Sequence, residues 1–234
     1  MKTEPTRSDS LNVPWADAVR FVRQLSHDLR NQLNAIELQS AYLSELEDGL
    51  KVKEEVDRLR EMISGLTSIL QKVSRELGEV KPNLIAYRAA DFMEDLRKKI
   101  TLQFPNQKDE IRWEIEKGNA VLNIDPQLLQ EAIIELFANA FRHDRAEGAL
   151  AVEVKIKKNG FFFALREPKI RFQLSTEHWG REPLRKVSQG RYGLGLNRVR
   201  TIVEAHDGEM HTKYDREALA LITVLTLPLS HEKA

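Results

Sequence analysis

The chain predicts an α+β fold in two parts, a long helical hairpin followed by an α/β sandwich, and three observations lead there. Val52, Val56, Leu59, Ile63, Leu66, Leu70, Val73 and Leu77 alternate by four and three, an unbroken heptad seam. After Gly78-Glu79-Val80-Lys81-Pro82 the heptads give way to short strand-like runs between amphipathic helical ones, which marks a domain boundary. The 234 residues are 41% hydrophobic, enough for one or two real cores.

The elements follow in order. Residues 1–12 read as a flexible N-terminus, and the polar run Met1 to Ser10 lacks the apolar centre of a signal peptide. Ala18, Val22, Leu25, Leu29, Leu33, Ile36, Tyr42, Leu43 and Leu46 form a first apolar stripe, and Asp48-Gly49 stops it before the heptad seam begins. The two stripes predict an antiparallel hairpin over 13–80. Two helices alone leave the far side of each seam bare, so a dimeric four-helix bundle, and hence a homodimer, is expected.

The second domain spans 81–234. A strand near Asn83 to Tyr87 leads into a helix from Ala89 to Leu102, then strands near Ile111 to Glu116 and Val121 to Ile124. Asp125-Pro126 opens an apolar helix through Leu129, Ile133, Leu136, Phe137 and Ala140. Strands at Ala151 to Lys157 and Phe161 to Leu165 join across Lys158-Asn159-Gly160. Residues 169–192 read as a long loop, a helix follows from Leu194 to Ala205, and strands near Glu209 to Tyr214 and Leu219 to Leu227 end the domain. Helices on one face of a sheet are expected.

Composition removes several function classes. Thirty-six basic residues balance 36 acidic ones, giving no electrostatic case for nucleic acid or an anionic membrane. The absence of Cys excludes disulfides, thiolate catalysis and Cys-based zinc sites, and fits a reducing cytoplasm. No run approaches 18 apolar residues, so the chain is expected to be soluble and cytoplasmic.

Two motifs carry chemistry. Ser26-His27-Asp28-Leu29-Arg30-Asn31 places an imidazole, an adjacent carboxylate and an amide one turn later on a helix. His27 falls between Leu25 and Leu29, at the edge of the stripe where solvent or a partner reaches it. Alone, such a His is ordinarily a boundary residue. Gly190-Arg191-Tyr192-Gly193-Leu194-Gly195-Leu196 sets three glycines in six residues against the periodic run Leu194, Leu196, Val199, Ile202 and Val203, a costly choice unless backbone must approach something closely. Its order, G-x-x-G-x-G without a preceding strand, argues against a dinucleotide fold and leaves a helix N-terminus able to hold an anion. Nucleophile and phosphate cradle together suggest phosphoryl transfer.

These residues resemble the bacterial histidine kinases over nearly the whole chain. The hairpin resembles their dimerisation and histidine-phosphotransfer domain, and residues 83–229 resemble the ATP-binding domain shared with gyrase, Hsp90 and MutL, the GHKL or Bergerat type. Ser26 to Asn31 is similar to the family's H box, Glu135-Leu136-Phe137-Ala138-Asn139-Ala140-Phe141-Arg142-His143 to its N box, and Gly190 to Gly195 to its second glycine box. The likeness implies ATP and Mg²⁺ as cofactors, His27 as phosphoacceptor and Asp28 as the group that orients or takes the ring proton. It places Asn31 where the family positions water to dephosphorylate a partner. Asn139 would offer Mg²⁺ an oxygen, Arg142 and His143 would face phosphates, and Gly190, Gly193, Leu194 and Gly195 would wrap them. Implied partners are a response regulator or receiver domain and a separate sensory protein.

Three departures accompany the likeness. Glu135 stands where many of these kinases have Asn and the ATP-hydrolysing relatives have Glu, a base able to activate water or the nucleophile. Gln32 replaces a common Pro and removes a helix kink. Glu167-Pro168-Lys169 stands where the family has D-x-G: Glu167 keeps the acceptor for the adenine amino group, and Lys169 puts a bulky cation in place of Gly. A lost hydrogen bond there costs about 1 to 3 kcal/mol, a ten- to hundredfold loss of affinity. The alternatives left open are a histidine kinase, favoured by Asn139 and the glycine box, a non-enzymatic histidine phosphotransfer protein, favoured by 167–169, and an ATP-driven clamp, suggested by Glu135 to Asn139. The balance from sequence falls on the kinase.

Overall fold

The structure, a computed structural model, describes residues 13–44, 49–116, 118–142, 146–157, 160–172, 176, 179–181, 183–184 and 192–230. It divides into two compact units: residues 1–78 with 182–194, and residues 79–181 with 195–234.

The first unit is built on α1 (Trp15–Ser44) and α2 (Gly49–Leu77). Phe21, Val73, Leu184, Tyr192 and Leu194 form its small core, with Val13, Leu25 and Ile69 packed around them. Farther along the hairpin Gln39 donates to Glu55, so the two helices run antiparallel in one register. The seam read from sequence divides between two faces. Val52, Val56, Leu59, Leu66 and Val73 are at least half-buried, while Ile63, Leu70 and Leu77 stand exposed at seven-residue intervals. Val22, Leu33, Leu38 and Tyr42 of α1 are exposed as well. Among the described residues no helix is long and apolar enough to cross a membrane.

The second unit is a helix-on-sheet sandwich. In chain order it runs β1 (Ile85–Arg88), α3 (Ala89–Gln103), β2 (Ile111–Ile115), β3 (Val121–Ile124), α4 (Pro126–Arg142), β4 (Leu150–Lys157), β5 (Gly160–Pro168), α5 (Gly195–Ala205), β6 (Glu209–Asp215) and β7 (Ala220–Leu227). Five strands form one sheet in the order β2-β4-β5-β7-β6, with β2 and β4 parallel and the rest antiparallel, and β1 pairs with β3 separately. Register puts Val152 opposite Leu165, Val154 opposite Phe163, Phe163 opposite Leu225 and Met210 opposite Leu225, so these side chains share one face. They join Phe92 and Leu96 of α3, Leu129, Ile133 and Phe137 of α4, and Val199, Ile202 and Val203 of α5 in a single core. All three helices therefore cover that face. Burying each Phe of this core stabilises by about 1.5 to 3 kcal/mol.

Helix α4, which carries the N-box residues, is fixed at its start by Asp125. Oδ1 accepts from the backbone N–H groups of Gln127 and Leu128 at 3.1 Å each, and Oδ2 from Asn83 N–H at 3.0 Å. Pro126 follows at the first helical position, where its missing N–H costs nothing. The Asp125 N–H in turn donates to His206 Nε2 at 3.0 Å, and His206 Nδ1 faces the Ile202 carbonyl at 2.7 Å, which pins the ring as its Nδ1–H tautomer.

Candidate functional site

Two groups of side chains are described by themselves. On α1 the His27 side chain is 61% exposed, as its position at the stripe edge predicts, and Asp28 beside it is buried. Helical geometry sets both, since successive residues point about 100° apart. His27 Nδ1 lies 3.5 Å from Asp28 Oδ1. The Asn31 amide, one turn on, stands 3.3 Å from Nδ1 and 3.5 Å from Nε2. Gln24 Nε2 donates to Asp28 Oδ1 at 2.8 Å and the Tyr192 hydroxyl to Oδ2 at 3.1 Å. Burial, then the bond to Asp28, push the Tyr192 hydroxyl up to about 12, so it stays a donor. The carboxylate favours a proton on Nδ1 and the Asn31 amide nitrogen, a donor, favours a lone pair there, while the exposed ring is open to a reactant.

In the second unit a cavity of about 30 Å³ lies between the helix layer and one end of β5 and β7, lined by Leu136, Asn139, Leu165, Glu167, Trp179, Leu196, Leu221 and Thr223. Glu135 and Asn139 lie one turn apart on α4, both half-buried. Gly195, at the first position of α5, sits so close that a Cβ there would collide with the Glu135 carboxylate. Arg142 is exposed at the end of α4. Strand β5 runs to Pro168, so Glu167 lies within the sheet, opposite Leu221. Its carboxylate is 2.5 Å from the Lys169 ammonium, and both side chains are buried, 11% and 6% exposed. Among the described residues no group of three His, Cys, Asp or Glu side chains is placed to hold a metal. A single oxygen from Asn139 suits only Mg²⁺ that arrives with phosphates and water.

Among the described residues a cavity of this size holds a water molecule. Glu167, the acceptor that the resemblance would offer an adenine amino group, lies against Lys169. Within the second glycine box Gly195 starts α5, while the described residues before it pack in the helical unit. Tyr192 and Leu194 are buried in the core of the helical unit, and Gly193 accepts from Leu184 N–H at 3.2 Å. His143 and Gly190 lie outside the described residues.

Sequence reasoning missed what closes the cavity. Arg200 donates to the Trp179 carbonyl at 3.1 and 2.7 Å and to the Met210 carbonyl at 3.0 Å, and Asn197 donates to the Gly180 carbonyl at 3.1 Å. Gly180, at φ +76°, lies where any Cβ would meet the Leu196 carbonyl. Phe172 packs on Trp179 and Tyr214, with centroids 5.3 and 5.8 Å apart, and the Tyr214 hydroxyl donates to the Lys169 carbonyl at 2.9 Å. The only sequence signal was a cluster of large aromatics in a presumed loop.

Residues 124–231 match the family described as histidine kinase-, DNA gyrase B-, and HSP90-like ATPase. An uncharacterised sensor-like histidine kinase of Rhizobium meliloti is 22% identical over 224 residues, 89% of this chain and 42% of that protein. The sensor protein kinase WalK of Staphylococcus epidermidis is 26% identical over 215 residues, 81% of this chain and 33% of WalK. The chain thus spans less than half the length of these two relatives. In fold it is similar to the histidine kinase ThkA, solved in complex with the response regulator protein TrrA, with a TM-score of 0.59 at 15% identity over 92% of this chain and 63% of ThkA. Residues 124–231 thus carry a domain of this ATPase family, and two long helices precede it in the chain.

Proposed function

We propose that this chain, of histidine kinase type, works as a histidine phosphotransfer protein: His27 takes a phosphoryl group from a phosphorylated receiver domain and passes it to the aspartate of a response regulator. The observation that carries the choice of donor is the buried Glu167–Lys169 pair, at the position where the resemblance puts the adenine acceptor. Breaking a buried ion pair by moving one partner costs about 3 to 5 kcal/mol, a penalty of roughly two to three and a half powers of ten on nucleotide affinity.

In the transfer step, His27 Nε2 attacks the phosphorus of an aspartyl phosphate. The Nε2–P bond forms as the acyl P–O bond breaks and the carboxylate leaves, while the Nδ1 proton is held toward Asp28. The reverse step loads the second receiver. Asn31 is placed to orient a water against the same phosphoryl group. The exposed Ile63, Leu70, Leu77, Val22 and Leu33 support a second copy completing a four-helix bundle. We place the protein in the cytoplasm, downstream of a separate sensory protein.

The second reading, a kinase that phosphorylates His27 from ATP and Mg²⁺, has its own support in the ATPase-family domain and in the Glu135–Asn139 face of α4. There Glu135 acts as base, Asn139 holds Mg²⁺, and Arg142, His143, Gly190, Gly193, Leu194 and Gly195 hold phosphates. It requires Lys169 to withdraw from Glu167. Titration calorimetry with ATP and Mg²⁺, followed by labelling from γ-labelled ATP and from a phosphorylated receiver domain, separates the two. Label from the receiver alone, absent in His27→Ala, is the expected outcome. Label from ATP in wild type, lost in His27→Ala, would sink the relay reading in favour of the kinase.

A further inference from the structure

We propose that Tyr192 is a positioning residue for the phosphoacceptor: its hydroxyl holds one oxygen of Asp28 so that the other faces His27 Nδ1. The inference rests on His27 as phosphoacceptor and goes beyond it, because neither the glycine-rich motif nor the H box assigns this tyrosine a role. Gln24, one turn before Asp28 on α1, fixes Oδ1 at 2.8 Å, the same oxygen that lies 3.5 Å from His27 Nδ1. A carboxylate turns about its terminal torsion, and bonds at both oxygens oppose that turn. Tyr192, 164 residues away in sequence, binds Oδ2 at 3.1 Å and fixes the plane.

The ring that carries this hydroxyl is itself set rigidly. Tyr192 is 3% exposed and meets Phe21 edge-on, with centroids 5.4 Å apart and planes at 90°. Phenylalanine would fill this site equally well, so packing does not require the hydroxyl. What the hydroxyl adds is a donor aimed at the carboxylate beside the reactive imidazole. A carboxylate held toward Nδ1 favours the Nδ1–H tautomer, with the Nε2 lone pair free to attack, against the Asn31 amide nitrogen, a donor 3.3 Å from the same atom.

The test uses the full chain and needs no nucleotide. Nitrogen NMR on ¹⁵N-histidine-labelled protein reads the His27 tautomer, with His27→Ala assigning the signal. The phosphorylation rate by phosphoramidate reads reactivity: the P–N bond of the donor breaks as the Nε2–P bond forms, and ammonia leaves with the proton the ring gives up. In Tyr192→Phe the Nδ1–H share falls toward that of free histidine and the rate drops about tenfold. Asp28→Asn falls at least as far, adding Tyr192→Phe to it changes nothing more, and Phe21→Leu, which trims the same cluster, leaves the tautomer unmoved. An unchanged tautomer in Tyr192→Phe, losses that multiply in the double variant, or an equal shift in Phe21→Leu would overturn the assignment. Failure of wild type to take label from either phosphoramidate or a receiver domain would instead fall on His27 as phosphoacceptor, and the tautomer comparison would still decide the role of Tyr192.

Discussion

The His27 face and the Glu167 cavity both set a carboxylate against a basic nitrogen, but they leave opposite things exposed. At the first, Asp28 is buried, with Gln24 and Tyr192 among its donors, and the imidazole stands 61% exposed. At the second, Glu167 and Lys169 are both buried and bound to each other. A carboxylate beside an exposed imidazole can act on a group that a partner reaches, whereas one buried against an ammonium meets a ligand only where that contact is shared or given up, so the two differ in access.

The largest effect tests the open face. His27→Ala should reduce acid-labile phosphorylation to background with every donor, measured as retained label after alkaline and acid treatment. Persistent label would move the phosphoacceptor elsewhere and dissolve the comparison. Next comes the closed cavity: Lys169→Gly leaves Glu167 buried without its ammonium, so unfolding free energy should fall by about 3 kcal/mol or more. The same change opens the base site, and calorimetry should show ATP affinity at least tenfold above wild type. Equal affinity in both proteins would mean that Lys169 does not close the site.

A third experiment addresses the exposed seam of the helical unit. Ile63→Lys with Leu70→Lys puts two charges on the surface proposed to meet a second copy, and light scattering at micromolar protein should show monomer where wild type shows dimer. A wild type that is already monomeric refutes the bundle outright. The smallest effect lies at the start of α4, where Asp125→Ala should cost about 1 kcal/mol at neutral pH through the lost cap. Burial works to raise the Asp125 carboxyl, but the N–H groups of Leu128, Asn83 and Gln127 together bring it below its ordinary 3.8. A carboxyl lower in the folded state stabilises fully above that ordinary value and loses the contribution as pH falls through the folded one. The stability gap between wild type and Asp125→Ala should therefore be constant from pH 7 to about pH 5 and close below pH 3.8 in urea melts.

The sequence by itself determined the order and type of the elements, because the 3.6- and 2-residue periods and the cap at Asp125-Pro126 are local signals. It also determined the first site, since His27, Asp28 and Asn31 lie within five residues and a helix fixes their spacing. The second site shows where that reach ends. Lys169 was legible as a bulky replacement for Gly, but its pairing with Glu167 depends on β5 continuing to Pro168 beside β7, and the closing of the cavity depends on Arg200 and Asn197 holding Trp179 and Gly180. The glycine-rich run suggested a phosphate cradle. The tertiary structure decided that Tyr192 and Leu194 pack into the helical core and that Tyr192 reaches Asp28, because a contact across 164 residues is set by packing and leaves no local pattern in the chain.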